Sequence, residues 1–375
     1  MTEETARALL RWFEEHKRDL PWRRTRDPYA IWVSEIMLQQ TRVAAVLDHY
    51  ARWMERFPSV AALAAAEEAE VLTLWSGLGY YRRARMLHRA AQVVAAEHGG
   101  VVPGTAAGLR ALPGIGEYTS AAIASIAFEE AVAVVDGNVE RVVTRLAGLV
   151  EAVFATVLVA EHQGNGVRTR DAAPLPKGAA RASRGEAAAG AAAGRKTEGT
   201  AAGLARAIRA GATALLVQGR AGDSNQAMME LGATVCLPRA PLCLHCPVQP
   251  WCRTRGEHMA EPRKKLVARS VAYALVVRGT DPVREVLLRQ RPAGASLMAG
   301  MWELPELNEV PLEGEVVLQV KHAITVTNYA VRVVRLGQRL ALAEERWVLG
   351  REVAGLPLTG LARKVLKRLG LWPGE

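Results

Sequence analysis

The sequence predicts an all-α region followed by a smaller α+β region, because the hydrophobic pattern changes near residue 267. Apolar residues recur at helical spacing through residues 1–149, as Ile31 and Ile36 illustrate. Short Pro and Gly breakers interrupt this pattern, and no long alternating stretch occurs within it. We therefore expect a helical domain with short connections.

A stretch of unusual composition interrupts the helical pattern at residues 172–205. Of its 34 residues, 14 are Ala and 6 are Gly, and none is aromatic. Such a segment buries too little apolar surface to offset its ordering entropy. We predict a surface insertion that is mostly disordered, although part of it is compatible with an Ala-rich helix. Helical spacing resumes near Leu204 and continues to about Leu231.

The C-terminal third has β-like runs and one terminal helical segment. A polar, basic stretch at 256–266 predicts a linker, so the expected boundaries are 1–255, 256–266 and 267–375. The predicted strands cover residues 271–277, 286–288, 316–320 and 329–334, and the predicted helix covers 360–369. This pattern is typical of an α+β domain.

Composition excludes several classes of protein. The formal charge of +10 favours a polyanionic partner, with nucleic acid ahead of a membrane surface or an acidic protein. No uncharged apolar run approaches the roughly 18 residues of a membrane span. The first residues are acidic, unlike a secretory signal. We expect a cytoplasmic, nucleoid-associated protein.

All four cysteines lie within 17 residues, at Cys236, Cys243, Cys246 and Cys252. Their clustering excludes a disulfide scaffold, which would spread its cysteines through a short chain. Thiolates are soft ligands, so the spacing C-x6-C-x2-C-x5-C predicts a metal centre. A single CxxC pair in a compact loop favours a [4Fe-4S] cluster, and zinc remains an alternative.

A glycine-containing turn lies between two helical segments at Leu112–Ser120. Gly114 and Gly116 would let backbone N–H groups face a phosphate at the start of the second helix. An ordinary helix–helix turn would have the same local sequence.

Two carboxylates have unusual surroundings in the sequence. Asp136 opens a predicted helix, where it is either an N-cap or a functional group. Glu35 lies among apolar residues, so it is either on an exposed stripe or buried with a raised pKa. Periodicity does not separate these alternatives.

Taken together, these motifs resemble the helix-hairpin-helix DNA glycosylases with an iron–sulfur cluster, and among them the MutY-type adenine DNA glycosylases. The resemblance is dense over residues 1–150 and 205–255 and loose over 267–375. The matching segments are Leu20–Arg23, Trp32–Thr41, Gly77–Tyr81, Leu112–Tyr118, Val135–Val139 and the cysteine loop. It implies a helix-hairpin-helix glycosylase fold and a [4Fe-4S] cluster on the four cysteines.

The resemblance also implies catalytic roles. Glu35 would be the general acid that protonates the adenine ring, and Asp136 would stabilise the positive charge on the sugar or bond to it transiently. Asn138 and Tyr118 resemble residues that position these groups. Bifunctional members of the superfamily carry a Schiff-base lysine at the position of Tyr118. Tyr cannot form that adduct, so we expect a monofunctional enzyme with at most weak lyase activity.

Further residues resemble contacts to DNA. Trp22 and Arg23 match residues near the extruded adenine, and Gln40 and Tyr80 match residues that probe the duplex beside the lesion. The other expected DNA contacts are Thr41, Gly114 and Gly116. Ordinary core packing is an equally good local explanation for Trp22 and Tyr80.

The C-terminal region resembles the Nudix-like module that reads 8-oxoguanine on the opposite strand. Gly300–Pro305 fits its opening loop, whereas the Glu-rich metal box of a Nudix hydrolase is absent from the sequence. We therefore expect recognition rather than hydrolysis. Thr325 would replace a serine hydroxyl of the lesion-reading loop, and a second histidine of that loop is missing. His322 is expected to be structural.

The resemblance implies a base-excision repair enzyme, which we expect to be a monomer. It would remove adenine mispaired with 8-oxoguanine or guanine by hydrolysing the N-glycosidic bond of a flipped-out nucleotide. One alternative is a damage-binding protein that marks mispairs without chemistry. Another is a bifunctional lyase that acts on oxidised pyrimidines, which conflicts with Tyr118.

Charge is distributed unevenly between these regions. Residues 1–149 carry 17 basic and 18 acidic side chains, while residues 263–375 carry 18 and 11. We therefore expect the helical region to bind DNA through local features rather than net charge. These features are the hairpin amides and an arginine cluster at Arg82, Arg83, Arg85 and Arg89. The basic C-terminal region would add salt-dependent attraction.

Overall fold

A computed structural model describes residues 1–149, 201–255, 267–295, 297–308, 314–324, 327–337, 341–342 and 344–373. The chain divides into two compact units. The first comprises the described residues of Met1–Leu20, Gly104–Ala106 and Glu117–Ala260, and the second those of Pro21–Pro103, Ala107–Gly116 and Glu261–Glu375. The predicted linker at 256–266 and residues 172–200 of the predicted insertion lie outside the described residues.

The N-terminal pattern of 3.6-residue periodicity forms helices, as the sequence predicts. In chain order they are α1 (Glu3–His16), α2 (Pro28–Leu38), α3 (Val43–Arg56), α4 (Val60–Ala64), α5 (Glu68–Trp75), α6 (Arg82–Glu97), α7 (Ala106–Arg110), α8 (Glu117–Phe128), α9 (Gly137–Ala147), α10 (201–213) and α11 (Ala221–Thr234). Among the described residues, none of the helices combines the length and apolar character that crossing a bilayer requires.

The first unit is built around α11, which packs against α1, α8 and α9. Small and flexible residues of α11, such as Ala227 and Met228, are fully buried, so neighbouring helices approach closely. The fully or largely buried side chains of this core include Leu9, Phe13, Val139, Val143, Ile208, Leu215 and Leu231. Arg18 Nε donates to the buried Glu230 carboxylate at 2.7 Å and ties the end of α1 to α11.

The last residues of the predicted insertion are helical. Residues 201–205 lie within α10, which agrees with the Ala-rich helix that their composition also allows. Alanine has the best intrinsic helix propensity, so Ala201, Ala202 and Ala205 continue the helix that the apolar residues after Leu204 anchor.

In the second unit α2 packs against α3 and α6, and its nine residues Tyr29–Met37 are all buried. Its first turn is set by Asp27, whose side chain accepts from the Tyr29 N–H, and by Pro28 at the first helical position. Trp53 stacks edge-on against both Phe57 and Trp75, with ring centroids 5.1 and 5.5 Å apart. Trp53 Nε1 donates to Tyr29 Oη at 3.3 Å, which connects these rings to α2.

The C-terminal region of the second unit contains two small sheets, which confirms the α+β prediction. Their strands are β1 (Val267–Leu275), β2 (Val277–Arg278), β3 (Glu285–Gln290), β4 (Trp302–Glu303), β5 (Glu306–Leu307), β6 (Glu315–Ile324), β7 (Thr327–Arg335) and β8 (Glu345–Leu349). One sheet has the order β5-β1-β7-β6, with β1 and β7 parallel. In the other, β3 pairs with β2, β4 and β8.

A terminal helix, α12 (Gly360–Arg368), closes the core of this region. Val365 and Leu366 on α12 are fully buried with Val331 and Val333 of β7. Three of the four predicted strands lie within observed ones, whereas the first, 271–277, runs past the end of β1 and across Val276 into β2. The predicted helix ends one residue later than the observed helix. The short strands β4, β5 and β8 escaped prediction because two-residue or weakly alternating segments carry little periodic signal.

Candidate active site

Glu35 is buried in α2 of the second unit. Its exposed fraction is 6%, which excludes the exposed-stripe alternative. The residues on either side of it, Ser34 and Ile36, are buried as well. Hence α2 carries a buried carboxyl group, the setting that the resemblance implies for a general acid.

Asp136 caps the N-terminus of α9 in the first unit. Its Oδ1 accepts from the backbone N–H groups of Asn138 and Val139, at 2.9 and 2.7 Å. Its Oδ2 accepts from the side-chain amide of Asn138 at 2.8 Å. The N-cap alternative is therefore correct as a description of geometry. The carboxylate is held by three donors and remains partly exposed, so this geometry leaves a chemical role open.

Asn138 lies against the backbone of α11. A Cβ atom built on Gly232 would come 2.6 Å from Asn138 Cβ, so only glycine leaves room for this contact. Asn138 Oδ1 accepts from Arg141 Nη2 at 2.8 Å, and the same guanidinium donates to the carbonyls of Gly232 and Cys236. Asn138 thereby positions Asp136 and is itself positioned by Arg141, which the sequence did not single out.

Tyr118 lies in the first turn of α8, half-buried, in the same unit as Asp136. Its hydroxyl lies 3.5 Å from the Met229 sulfur on α11. The side chain at this position is therefore an aromatic hydroxyl held by packing, with no amine to attack a sugar.

The hairpin turn before α8 requires glycine at Gly114. Its φ is +77°, and an added Cβ would come 2.5 Å from Met86 Cβ on α6. Gly116 is exposed, has no positive φ and has no atom within 4 Å of a built Cβ. The turn therefore approaches α6 closely at Gly114 and is open at Gly116, where a phosphate would have access.

The two residues that resemble contacts to the extruded base lie in a short 3-10 turn, Pro21–Arg23. Trp22 is buried, with its ring edge-on to Tyr50 at 5.2 Å between centroids. Arg23 is half-exposed. The Trp22 ring is thus packed against Tyr50, while Arg23 keeps access to solvent.

Gln40 and Tyr80 lie on two exposed turns of the second unit. Both have left-handed backbones, with φ of +56° and +49°, which few non-glycine residues adopt. Tyr80 is 45% exposed despite its size. Thr41 follows Gln40 and donates from Oγ1 to the Gln39 carbonyl at 3.3 Å. Exposed non-glycine residues with a left-handed backbone occur at binding sites more often than in ordinary turns.

The arginine cluster on α6 does not act as one surface. Arg82 and Arg89 are exposed, whereas Arg85 pairs with Glu68 at 2.8 Å. Arg83 points into the protein and donates to backbone carbonyls of both exposed turns. The prediction that all four bind DNA is therefore wrong for Arg83, because sequence proximity does not show which face of α6 each side chain occupies.

A cavity of about 1030 Å³ lies within the second unit beside these turns. Residues Gln40, Tyr80, Gly114, Met298 and His322 are among its lining. Such a volume is at the upper end for a site that takes a nucleotide-sized group. Thr325, the residue expected in the lesion-reading loop, lies outside the described residues.

The turn that carries Tyr80 is hydrogen-bonded to the C-terminal region. Ser76 Oγ and Tyr81 Oη both donate to the carbonyl of Leu358, at 3.2 and 2.8 Å. The Arg363 guanidinium on α12 donates to the Ser76 carbonyl. These buried contacts form what we call the Leu358 seam, defined by Ser76, Tyr81, Leu358 and Arg363.

The four cysteines surround one small cavity of about 30 Å³ in the first unit. Arg145 of α9 donates from Nη1 to Cys236 Sγ at 3.3 Å and to the Leu237 carbonyl at 2.7 Å. The carbonyl of Arg145 in turn accepts from Thr254 Oγ1 at 2.6 Å. The cysteine loop is thereby fastened to the same helix that begins at Asp136.

The chemistry of this donor set fits a thiolate-ligated metal centre. Burial and the neighbouring thiols raise the pKa of Cys243, and burial raises that of Cys246 to about 11. A bound metal reverses this tendency, because coordination deprotonates a thiol outright. Among the described residues, no group of three or more His, Cys, Asp or Glu side chains is itself arranged to hold a metal ion.

Sequence and structure comparisons relate the chain to known proteins. Residues 33–153 match the family described as HhH-GPD superfamily base excision DNA repair protein. The chain is 38% identical to mouse adenine DNA glycosylase over 359 residues, which cover 81% of this chain and 61% of that protein. It is 39% identical to adenine DNA glycosylase of Mycolicibacterium smegmatis over 277 residues, which cover 73% of this chain and 75% of that protein.

Among solved structures, a thermostable thymine-DNA glycosylase matches with a TM-score of 0.50 and 24% identity. The match covers 68% of this chain and 97% of that one. It shows that the helical part has the fold of that protein.

Proposed function

Because the chain belongs to the adenine DNA glycosylase family, we propose that it removes adenine mispaired with 8-oxoguanine or guanine from double-stranded DNA. The reaction is hydrolysis of the N-glycosidic bond of a flipped-out nucleotide, which leaves an abasic site. The observation that carries the proposal is the burial of Glu35 in α2, since a surface carboxyl would not serve as an acid at neutral pH.

Glu35 acts as the general acid. It protonates a ring nitrogen of the adenine. The protonated base then accepts the electron pair of the breaking C1′–N9 bond and leaves as neutral adenine. The glycosidic bond is not accessible in the stacked duplex, so the nucleotide must first leave the helix. Arg23 and Trp22 contact the extruded base.

Asp136 supports the other half of the reaction. As the bond breaks, positive charge develops on the sugar, and a fixed carboxylate stabilises it or bonds to it transiently before water adds at C1′. The hydrogen bonds from Asn138 and Val139 hold this carboxylate in one orientation, so little reorganisation accompanies the reaction.

Tyr118 makes the enzyme monofunctional. Strand cleavage by a lyase requires an amine that forms a Schiff base with C1′, and the hydroxyl of Tyr118 does not provide one. Base release should therefore leave the strand intact until alkali cleaves the abasic site.

The partner is duplex DNA that contains the mispair, contacted by the turns of Gln40 and Tyr80, by Thr41 and by the amides near Gly114 and Gly116. The C-terminal region is Nudix-like and recognises 8-oxoguanine on the opposite strand, with Thr325 in its reading loop. The protein acts as a monomer in the cytoplasm, on nucleoid DNA.

Cys236, Cys243, Cys246 and Cys252 hold a [4Fe-4S] cluster. Its contribution is to fix the loop that Arg145 attaches to α9, in the manner of a closed structural metal site. Iron and sulfide analysis of the purified protein should give about four of each per chain. Stoichiometric zinc without iron would refute this assignment.

The function is tested with a duplex that carries A opposite 8-oxoguanine, incubated with protein and then treated with alkali. Cleavage at the adenine, at a rate above that for A opposite T, is expected. Glu35→Gln should abolish base release and keep duplex binding, and borohydride should trap no covalent adduct with the wild-type protein. Binding without base release by cluster-loaded protein would refute the proposal and favour the damage-binding alternative.

A further inference from the structure

Arg83 occupies the point where α2 ends and two exposed turns meet. Its Nη1 donates to the carbonyls of Ile36 and Met37, at 2.8 and 3.0 Å, and to that of Gln39. The last carbonyls of a helix have no partner within the helix, so a cation at this end stabilises it. Arg83 thus terminates the helix that carries Glu35.

The second guanidinium nitrogen reaches the other turn. Nη2 donates to Thr41 Oγ1 at 3.1 Å and to the carbonyls of Leu78 and Gly79, each at 3.2 Å. One side chain therefore joins the residues around Gln40 to the residues that precede Tyr80. A lysine has a single nitrogen and cannot reach all of these acceptors from one position.

The guanidinium also contacts two aromatic rings. Its carbon lies 5.2 Å from the Trp75 ring centroid and 5.5 Å from that of Tyr80. Trp75 is buried and Tyr80 is exposed, so the guanidinium contacts one ring in the core and one at the surface. Burial lowers the Arg83 pKa to about 10, which leaves the group charged at neutral pH.

We propose that Arg83 is a positioning residue that holds the Gln40 and Tyr80 turns in the conformation that enters the duplex and promotes extrusion of the adenine. The inference rests on the proposed function. Both turns contain a residue with positive φ, and the Arg83 hydrogen bonds compensate for this unfavourable backbone. An arginine that bound phosphate would instead contribute to affinity for any DNA sequence and to its salt dependence.

The test compares Arg83→Lys with Arg52→Lys, a matched change at an exposed arginine of α3. In the DNA-free protein, hydrogen exchange should accelerate at least tenfold in peptides that cover 36–41 and 77–80. With 2-aminopurine opposite 8-oxoguanine, the fluorescence increase that reports extrusion should fall. At saturating enzyme, the single-turnover rate of adenine release should fall about 10- to 100-fold. The Kd for undamaged duplex should change less than about twofold, and Arg52→Lys should change none of these.

A second substitution separates positioning from folding. Glycine adopts positive φ at no steric cost, so Gln40→Gly in the Arg83→Lys background should recover part of the wild-type protection from hydrogen exchange in the peptide that covers 36–41, measured without DNA. The proposal would be overturned if Arg83→Lys exchanged hydrogen and released adenine at the wild-type rates. It would also be overturned if the variant lost its helical circular dichroism signal, or if its largest change were in the Kd for undamaged duplex. If the wild-type protein releases no adenine, the proposed function fails, while the exchange measurement still decides whether Arg83 holds the turns.

Discussion

Replacing Gly232 with alanine should slow catalysis without touching the substrate. The new Cβ would lie 2.6 Å from Asn138 Cβ and 3.0 Å from its Cα and carbonyl oxygen. Ordinary carbon contacts are about 3.5 Å or longer, so α11 and the Asn138 segment must separate by about 0.9 Å. A Cβ cannot rotate away, and Asn138 donates two of the three hydrogen bonds that hold Asp136.

The expected cost follows from that displacement. A misplacement of about 1 Å in a catalytic group can cost about 100-fold in rate, equivalent to about 2.7 kcal/mol of barrier. Overpacking costs about 1–3 kcal/mol of stability, partly offset by a helix-propensity gain of about 1 kcal/mol for Gly→Ala. We therefore expect a 10- to 100-fold slower single-turnover release of adenine and a modestly lower Tm.

The matched control is Gly203→Ala, on α10, where a built Cβ has no atom within 4 Å. This change should raise stability by up to about 1 kcal/mol and leave the rate unchanged. If Gly232→Ala released adenine at the wild-type rate, packing against Asn138 would not determine the position of Asp136, and the reasoning would be wrong.

Other substitutions test separate parts of the structure. Glu35→Gln should reduce adenine release to background while the Kd for a mispaired duplex changes little; residual pH-dependent activity would contradict the role of general acid. Gly114→Ala should lower the free energy of unfolding by about 2–4 kcal/mol in urea titration, because φ is positive and Met86 is too close, and a neutral effect would show that the turn relaxes. Arg145→Leu should lower the iron content per chain by loosening the loop of Cys236, and full iron loading would show that Arg145 is dispensable.

Much of the secondary structure followed from local pattern. The helices of the N-terminal region obey a 3.6-residue period, and β1, β3, β6 and β7 lie where short apolar runs predict strands. The burial of Glu35 could not be predicted from periodicity. Almost all of α2 is apolar, so its sequence shows no polar stripe that would mark the exposed face. Only its neighbours in the folded unit decide that question.

The arginines were the least predictable part of the site. Arg83, Arg141 and Arg145 all donate to backbone carbonyls, which every residue possesses, so no partner is visible in the sequence. A charged residue predicts a surface position by default. These three instead satisfy carbonyls at helix ends and in loops, and this role appears only when the segments are brought together.

The Leu358 seam limits how this chain can be divided or recombined. Truncation of the chain near residue 266 would remove the Leu358 carbonyl, which accepts from both Ser76 and Tyr81. Their two hydroxyl groups would then lose their protein acceptor and would need water in its place. Exchange of the C-terminal region for that of a relative would succeed only if the incoming segment supplied a carbonyl at the same place. The helical part and the C-terminal part of this unit therefore cannot be exchanged independently. A substitution in the turn that bears Tyr80 requires a compatible segment before α12.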